Sequence, residues 1–394
     1  MRTISTLFLA GILLGGAQAS VTTISAGYYV STTQVSDDPP SSTAYHGFSV
    51  YLNADTPGDL LAGTLTHPDT TVYNLYANGD QMLIYSSSFF ASVAELLAAY
   101  PSGDYWVAVT AGLAAPDSGA ISVPPPDFPD AIPYLTNGSY SSLQMAPAGV
   151  DAMISWNTFD HSGSADETLT ALQIVDYTST LTPIYNTGPN DTYTSETIPG
   201  SEMKSGHTYG YALYFNCYFN SMTAGFGGVP TIVSNVVATN GLYHVAADVG
   251  TVSGQLTLEY DSQVGEPVEV RIYDGDGNLE DLQSITLGYF GYYAFETAIR
   301  GQKYVAFKGR HWLRKAALAD LDAGVDFLDL TLISGDIDED NEVAIGDFAL
   351  LSYAFDSYPG DPNWIENSDL NEDGTVDIGD YAIMSQSWGE VGDY

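Results

Sequence analysis

The chain has 394 residues, with 9 Lys+Arg against 49 Asp+Glu and a formal charge of −40. This excess of acid argues against nucleic acid and anionic membrane surfaces as partners, because both attract clustered basic residues. The hydrophobic content of 45% is enough for packed cores and excludes a solvated, disordered chain. At roughly 100–200 residues per domain, the length predicts about two to four domains.

The N-terminus has the three parts of a secretory signal peptide. Arg2 is positive, Leu7–Leu14 is apolar, and Ala17-Gln18-Ala19 offers small residues for cleavage. The apolar run is shorter than the ~20 residues that a membrane-spanning helix needs. We therefore predict a signal peptide at residues 1–19, a mature exported chain that begins near Ser20, and no membrane insertion after cleavage.

From residue 20 to about 334 the chain alternates apolar and polar residues with a period of two, as half-buried strands do. Examples are HGFSVYLN, TVYNLYANGD, GDYWVAVTAG, LTALQIVDY, YGYALYFNCYF and GEPVEVRIYDGDGN, separated by turn-forming residues. One helix is expected in SVAELLAAYP, where Ser92 and Glu95 have the spacing of a capping box and Pro101 follows. Strands at this spacing predict tandem β-sandwiches.

Composition suggests where the domains meet. VPPPDFPD contains a proline-rich segment, residues 124–130, which we predict to be a stiff linker. Two further boundaries are expected near residues 247 and 334. The prediction is therefore a β-sandwich of unknown family at 20–123, a second sandwich at 131–247, a third at 248–334 and a tail at 335–394.

Two of these segments carry residues typical of known sandwiches. Trp156 lies on an early strand of the second segment, and Met203, Gly206 and Tyr209 have the spacing of a tyrosine corner. The second segment thus resembles the fibronectin type III family. The third, through FGYYAFETAIRGQKYVAFKG, resembles carboxypeptidase-regulatory-like sandwiches. Both resemblances imply a fold and no chemistry.

The tail repeats itself. DIDEDNEVAIGDFALLSYAF begins at Asp336, and DLNEDGTVDIGDYAIMSQSW begins at Asp369, 33 positions later. In each repeat, oxygen-bearing side chains at positions 1, 3 and 5 open a twelve-residue loop that precedes an apolar helix. Such a loop wraps oxygen ligands around Ca²⁺, with the carbonyl of position 7, water at position 9 and a closing carboxylate at position 12. The repulsion between these carboxylates is relieved by the cation.

We predict two Ca²⁺ sites. Loop one (residues 336–347) would use the side chains of Asp336, Asp338, Asp340 and Asp347 and the carbonyl of Glu342. Loop two (residues 369–380) would use the side chains of Asp369, Asn371, Asp373, Asp377 and Asp380 and the carbonyl of Thr375. Asn341 and Gly374 hold the turn position, where a positive φ is needed. Loop two is expected to bind more tightly, because Ala344 at position 9 of loop one has no side-chain ligand. Val343 and Val376, both at position 8, are expected to pair the loops by a short β contact.

Both loops close with Asp, and the segment before loop one, GVDFLDLTLISGD, alternates like a strand. Two such loop–helix repeats, joined by DSYPGDPNWIENS, resemble a type I dockerin over residues 335–390. The resemblance implies a small α-helical, secreted, calcium-binding module that attaches its chain to a cohesin-like or cell-surface protein, usually on polysaccharide-degrading assemblies. In that family, loop positions 10 and 11 read the partner. Here they are Ile345-Gly346 and Ile378-Gly379 rather than the hydroxyl pairs of cellulosomal dockerins.

No catalytic motif accompanies the tail, since the sequence has no GxSxG, HExxH, Walker loop or dinucleotide-binding glycine fingerprint. Paired carboxylates for glycoside hydrolysis leave no local motif, so they stay open. The prediction is a secreted or cell-surface, mainly β, non-catalytic modular protein with a dockerin-like tail. The alternative is a dockerin-bearing component that binds or degrades polysaccharide.

The few basic residues are concentrated, because seven of the nine Lys+Arg lie between Arg271 and Lys315, around FKGRHWLRK. This cluster either docks the acidic tail or an acidic glycan, or forms a charged, solvated face. Exposed ion pairs are worth only ~0–1 kcal/mol each. We predict that the cluster packs near the tail and that Trp312 and Leu313 add apolar contact.

Overall fold

The computed structural model describes residues 21–40, 45–79, 81–112, 114–179, 183–186, 194–222, 229–260 and 264–394. The predicted signal peptide at residues 1–19 lies outside this described part. The described chain is mainly β, as predicted, with three lobes of strands followed by a C-terminal module (residues 335–394) that contains two helices. None of the described helices combines the length and the apolar character that crossing a bilayer requires.

The first lobe consists of seven strands around one buried cluster. They are β1 (Val21–Thr33), β2 (Tyr45–Ala54), β3 (Ala62–Thr66), β4 (Val72–Ala77), β5 (Met82–Ser86), β6 (Gly103–Ala111) and β7 (Asp117–Val123), with helix α1 (Val93–Ala99) before β6. All seven strands contribute buried apolar side chains to the cluster, so the sheet curls around its own core. Helix α1 is confirmed with its cap, because the Glu95 amide donates to the Ser92 hydroxyl at 3.2 Å.

The second lobe is a sandwich of two sheets. Its elements are β8 (Leu135–Thr136), α2 (Ser139–Leu143), β9 (Ala152–Trp156), β10 (Glu167–Asp176), β11 (Pro183–Asn186), β12 (Ser195–Ile198), β13 (Thr208–Met222) and β14 (Pro230–His244). Strands β12–β9–β8 form one sheet, and β11–β10–β13–β14 belong to the other. Buried side chains from both sheets meet in one cluster.

One eleven-stranded sheet runs through the first two lobes, in the order β11–β10–β13–β14–β1–β2–β5–β4–β3–β6–β7. Strand β1 joins them, because it pairs antiparallel with β2 and parallel with β14. Gly27 permits this close pairing, since a Cβ there would lie 1.8 Å from the Ser234 carbonyl oxygen. One sheet therefore contains strands from both sides of the predicted linker at residues 124–130.

Tyr209 makes the hydrogen bonds of a tyrosine corner at the predicted position. Its hydroxyl donates to the Glu202 carbonyl at 2.9 Å and accepts from the Lys204 amide at 2.8 Å. Trp156 lies on β9 and is buried in the same cluster. The corner fixes the connection that enters β13, while membership of the fibronectin type III family stays a prediction.

We expect Tyr209→Phe to lower the free energy of unfolding by about 1–3 kcal/mol, because both hydrogen bonds are lost in a buried place. Tyr243 is a matched control: its ring stacks on that of Tyr209 with centroids 5.1 Å apart, and its buried hydroxyl has no partner within the described ranges. Tyr243→Phe should leave stability unchanged or raise it. Chemical unfolding measures both, and equal losses in the two variants would contradict the assignment.

The third lobe is a second sandwich. Its strands are β15 (Thr251–Leu258), β16 (Pro267–Tyr273), β17 (Leu279–Thr286), β18 (Tyr292–Glu296), β19 (Gln302–Lys308), β20 (Lys315–Asp320) and β21 (Leu330–Leu332). The sheets β18–β15–β21 and β17–β16–β19–β20 enclose a cluster that includes the fully buried Trp312. FKGRHWLRK thus runs from the end of β19 to the start of β20. Strand β21 confirms that the chain enters loop one in an extended conformation.

The C-terminal module packs helices α3 (Ile345–Ala354) and α4 (Ile378–Gln386) around a small cluster. Leu351 and Met384 come from the helices, whereas Leu313 and Ile333 come from the third lobe. The core of the module is therefore completed by residues that precede the predicted boundary at 334.

The expected pairing of Val343 with Val376 is wrong. Both side chains are fully buried in the module cluster. However, the Val343 amide donates to Glu390 O at 2.9 Å, and the Val376 amide donates to Ser357 O at 3.0 Å. Each loop is hydrogen-bonded to the segment that follows the helix of the other repeat, so the repeats interlock.

Candidate metal centres in the C-terminal module

Loop one brings together three of its predicted ligands, since Asp336, Asp338 and Asp340 each offer an oxygen within 4.8 Å of the others. Asp336 is fully buried, and its Oδ2 accepts from the Asn341 amide at 3.1 Å. Its Oδ1 is buried and has no hydrogen-bond partner within the described part of the chain. An unpaired buried carboxylate oxygen is costly. A cation between the three aspartates would supply the missing partner, so these residues fit a metal.

Asp347, at position 12, holds loop one in shape. Its Oδ1 accepts from the amides of Ile337 at 2.6 Å and Asp338 at 3.1 Å, and its Oδ2 accepts from the Ala344 amide at 2.7 Å. These bonds tie the start of the loop to the start of α3. The structure therefore places both oxygens against backbone amides, and direct ligation by Asp347 stays a prediction.

Loop two repeats this arrangement. Asp380 accepts from the amides of Leu370 at 2.7 Å, Asn371 at 3.3 Å and Asp377 at 2.7 Å. Asp369, the position-1 residue, accepts from the Gly374 amide at 3.0 Å through Oδ2. The two loops thus share one backbone conformation, which the spacing of their oxygen-bearing residues predicts.

The turn positions have the expected backbone. Asn341 has φ = 72° and Gly374 has φ = 87°, both in the left-handed region. Asn341 does more than turn the chain, because its side-chain oxygen accepts from the Arg314 amide at 2.8 Å. The sequence analysis does not predict this contact. The one signal for it is that Asn stands at a position where Gly is usual.

The other residues predicted to supply ligands form local hydrogen bonds, although for Glu342 and Thr375 these do not involve the carbonyls predicted as ligands. The Glu342 amide donates to Asp340 at 2.9 Å, Asn371 donates to Asp373 at 3.0 Å, and the Thr375 hydroxyl donates to Asp373 at 2.6 Å. Asp377 caps α4 by accepting from the Gly379 amide at 2.6 Å. Ala344 stands at the equivalent place in loop one and has no side-chain oxygen. Loop two therefore has an oxygen-bearing side chain at position 9 where loop one has none, and its tighter binding stays a prediction.

Burial is the largest influence on the pKa of four carboxyls in the two loops. It raises the pKa of the Asp336, Asp338, Asp369 and Asp380 carboxyls. At Asp336 the Lys308 ammonium opposes this effect without outweighing it, and the Asp347 charge adds to it. A divalent cation would favour the ionised forms of these groups. Several hard oxygen donors in one loop suit Ca²⁺ better than Mg²⁺, which demands a tight octahedron.

The basic segment contacts the C-terminal module, which confirms its predicted position. Arg310 binds Glu366 at 2.8 Å and Glu372 at 2.6 Å in the module, and Glu266 at 3.1 Å in the third lobe. Beside it, Lys308 Nζ lies 2.9 Å from Asp336 Oδ2. The third lobe thus places cations against both acidic loops.

The last residues of the chain also bind the third lobe. The Asp393 amide donates to Arg314 O at 2.8 Å, and Asp393 Oδ2 accepts from the Ala316 amide at 2.9 Å. The Tyr394 ring stacks on Tyr273 with centroids 4.9 Å apart. Sequence reasoning missed these contacts, because no local pattern marks them.

We expect calorimetric titration of the full chain with Ca²⁺ to show two sites. Asp336→Ala should remove binding at loop one, and Asp369→Ala should remove the tighter site at loop two. Mg²⁺ should substitute poorly. Asp104→Ala, an exposed carboxylate of the first lobe, should change nothing. A stoichiometry below two would contradict the paired sites, and a larger loss from Asp336→Ala would contradict their ranking.

Comparison with known proteins places the C-terminal module. The family model of the dockerin type I domain matches residues 334–388, and dockerin domains bind calcium. Two solved type II cohesin–X–dockerin complexes from Acetivibrio cellulolyticus, both interface mutants, are 20% and 19% identical. Each covers 36% of this chain and 97% of the matched chain, with a TM-score of 0.31. A tetra-tandem repeat from the extending region of a large adhesion protein is 17% identical, covers 76% of this chain and 75% of its own, and has a TM-score of 0.22. No curated protein matches the sequence.

Proposed function

We propose that this chain, whose residues 334–388 are a dockerin type I domain, is an exported, non-catalytic modular protein. Its module would bind two Ca²⁺ ions and attach the chain to a cohesin-like partner outside the cell or on its surface. The three β lobes would be the part of the protein that this attachment presents, or that holds other parts at a distance from the partner. The proposal is supported chiefly by an exposed apolar face that the two repeats build together.

The apolar face consists of Ile345 and Phe348 at the start of α3 and Ile378 and Tyr381 at the start of α4. The isoleucines are 70% and 67% exposed, and the aromatic residues are 38% and 41% exposed. The rings of Phe348 and Tyr381 lie 6.3 Å apart, so both repeats contribute to one surface. Apolar side chains exposed side by side mark interaction sites more often than scattered ones do.

The apolar face follows directly from the two loops. Each isoleucine stands at loop position 10, between the predicted ligands and the position-12 carboxylate that binds the loop backbone. Metal binding would therefore fix the start of each helix and with it the positions of these side chains. This is the physical reason to expect that partner binding depends on calcium.

Position 11 is glycine in both loops, and in loop one a side chain there would displace a predicted ligand. A Cβ on Gly346 would lie 2.1 Å from Asp338 Oδ2. Recognition must then rest on position 10 and on the aromatic residue one turn later. We infer that the partner presents an apolar surface, rather than one built to hydrogen-bond hydroxyl pairs.

A polysaccharide-binding or polysaccharide-degrading component is the second candidate, and one observation favours binding. Trp106 is exposed on β6, and its cross-strand neighbours are the small residues Thr66 and Ala120. An indole among small neighbours offers a platform on which a sugar ring can stack. No nucleic acid is expected as a partner, given the charge of −40.

The test is a binding screen of the full chain against a cohesin panel and a glycan array, each with Ca²⁺ and with chelator. We expect calcium-dependent cohesin binding that Ile345→Asp with Ile378→Asp weakens by at least about thirtyfold, which corresponds to the ~2 kcal/mol loss that defines a hot spot. Leu282→Asp is the matched control, since Leu282 is exposed on β17, outside the module. Glycan binding lost in Trp106→Ala, without cohesin binding, would favour the second candidate.

A further inference from the structure

Lys308, the last residue of β19, reaches from the third lobe to loop one. Its Nζ lies 2.9 Å from Asp336 Oδ2 and donates to the carbonyls of Gly309 and Arg310, each at 2.9 Å. The lysine side chain is 10% exposed, and that of Asp336 is fully buried. Three oxygen partners therefore hold the ammonium in a fixed place with little access to water.

The lysine uses only one side of the carboxylate. Lys308 and the Asn341 amide both bind Oδ2, and Oδ1 keeps no hydrogen-bond partner in the described chain. A divalent cation held with Asp338 and Asp340 would take the free oxygen. The lysine and the metal would thus act on the same carboxylate from different oxygens.

Loop two has no such lysine. Asp369 accepts from the amides of Asp373 and Gly374, and within the described ranges it forms no ion pair with Lys or Arg. Arg310 binds Glu372 and Glu366 instead, and neither is a predicted ligand. The third lobe therefore compensates a position-1 carboxylate in loop one alone.

Building on the proposed calcium loops, we propose that Lys308 is a counter-charge of loop one that stabilises it without metal and weakens its affinity for Ca²⁺. The attraction between Lys308 and Asp336 acts fully when no metal is present. When Ca²⁺ neutralises the carboxylate, that attraction falls and the two cations repel each other. Since the lysine favours the metal-free state over the metal-bound one, it must lower the affinity by the same factor.

As a consequence, Ca²⁺ would occupy the two loops in a fixed order. Loop two would fill first, and loop one would fill last while staying docked on the third lobe at low calcium. The module would then respond to calcium in two steps, and the first repeat would depend less on metal for its shape than the second. A partner that needs both halves of the apolar face would bind only after the second step.

The opposite effect is also physically reasonable. A hydrogen bond from a neighbouring group commonly orients a metal ligand and raises the affinity. Here Asp336 already has the Asn341 amide to orient it, as Asp369 has the Gly374 amide. The charge of Lys308 therefore distinguishes the surroundings of the two position-1 carboxylates, and this charge repels a second cation.

The experiment uses the full chain with Asp369→Ala, so that calorimetry reports loop one alone. Adding Lys308→Gln should tighten Ca²⁺ binding by about tenfold, within the usual range of coupling between two sites. In chelator, the same variant should exchange the amides of residues 336–347 faster. Lys303→Gln is the control, because Lys303 lies on the same strand but pairs with Glu280 at 2.6 Å. Lys308→Arg keeps the charge and should keep the weak affinity.

The outcomes separate the two proposals. Unchanged or weaker Ca²⁺ binding in Lys308→Gln would overturn the counter-charge, even if the amides exchange faster. Equal tightening in Lys308→Arg would assign the effect to packing and would also overturn it. If the parent chain binds no Ca²⁺ at either loop, the proposed function fails, and this inference fails with it.

Discussion

The contact between the acidic module and the basic end of the third lobe is the interaction on which the C-terminal module depends. A module of this size is too small to be stable by core burial alone. Its cluster is completed by Leu313 and Ile333, and its loops face Lys308 and Arg310. The third lobe thus provides both the missing apolar surface and the missing positive charge. In a chain with a formal charge of −40, the docking of the module depends on where these few basic side chains lie.

The sequence predicts local features well. The alternation of oxygen-bearing residues defines both loops, and the turn residues Asn341 and Gly374 have the backbone that their positions require. The capping-box spacing predicts α1, and the tyrosine-corner spacing predicts the hydrogen bonds of Tyr209. In each case the interacting groups lie within about twelve residues of each other, so spacing alone carries the information.

Contacts between distant segments were not predictable in the same way. The parallel pairing of β1 with β14 joins residues that are about two hundred positions apart, and no local pattern specifies it. Val343 and Val376 were expected to meet because they share a loop position, but each amide has a different partner. Lys308 belongs to a strand of another lobe, and its contact with Asp336 depends on how the two bodies dock. The expectation that FKGRHWLRK meets the tail succeeded because opposite charge gives a long-range reason for it.

The interlocked hydrogen bonds of the two repeats determine what counts as one folding unit. Val343 bonds to the segment after α4, and Val376 bonds to the segment after α3. The loop of each repeat is therefore hydrogen-bonded to the segment that follows the helix of the other repeat. A single repeat moved into another protein would carry an unsatisfied valine amide and half a core. The two helices should accordingly not melt independently of each other. The smallest piece that could be moved into another protein is the pair of repeats together with the end of the third lobe.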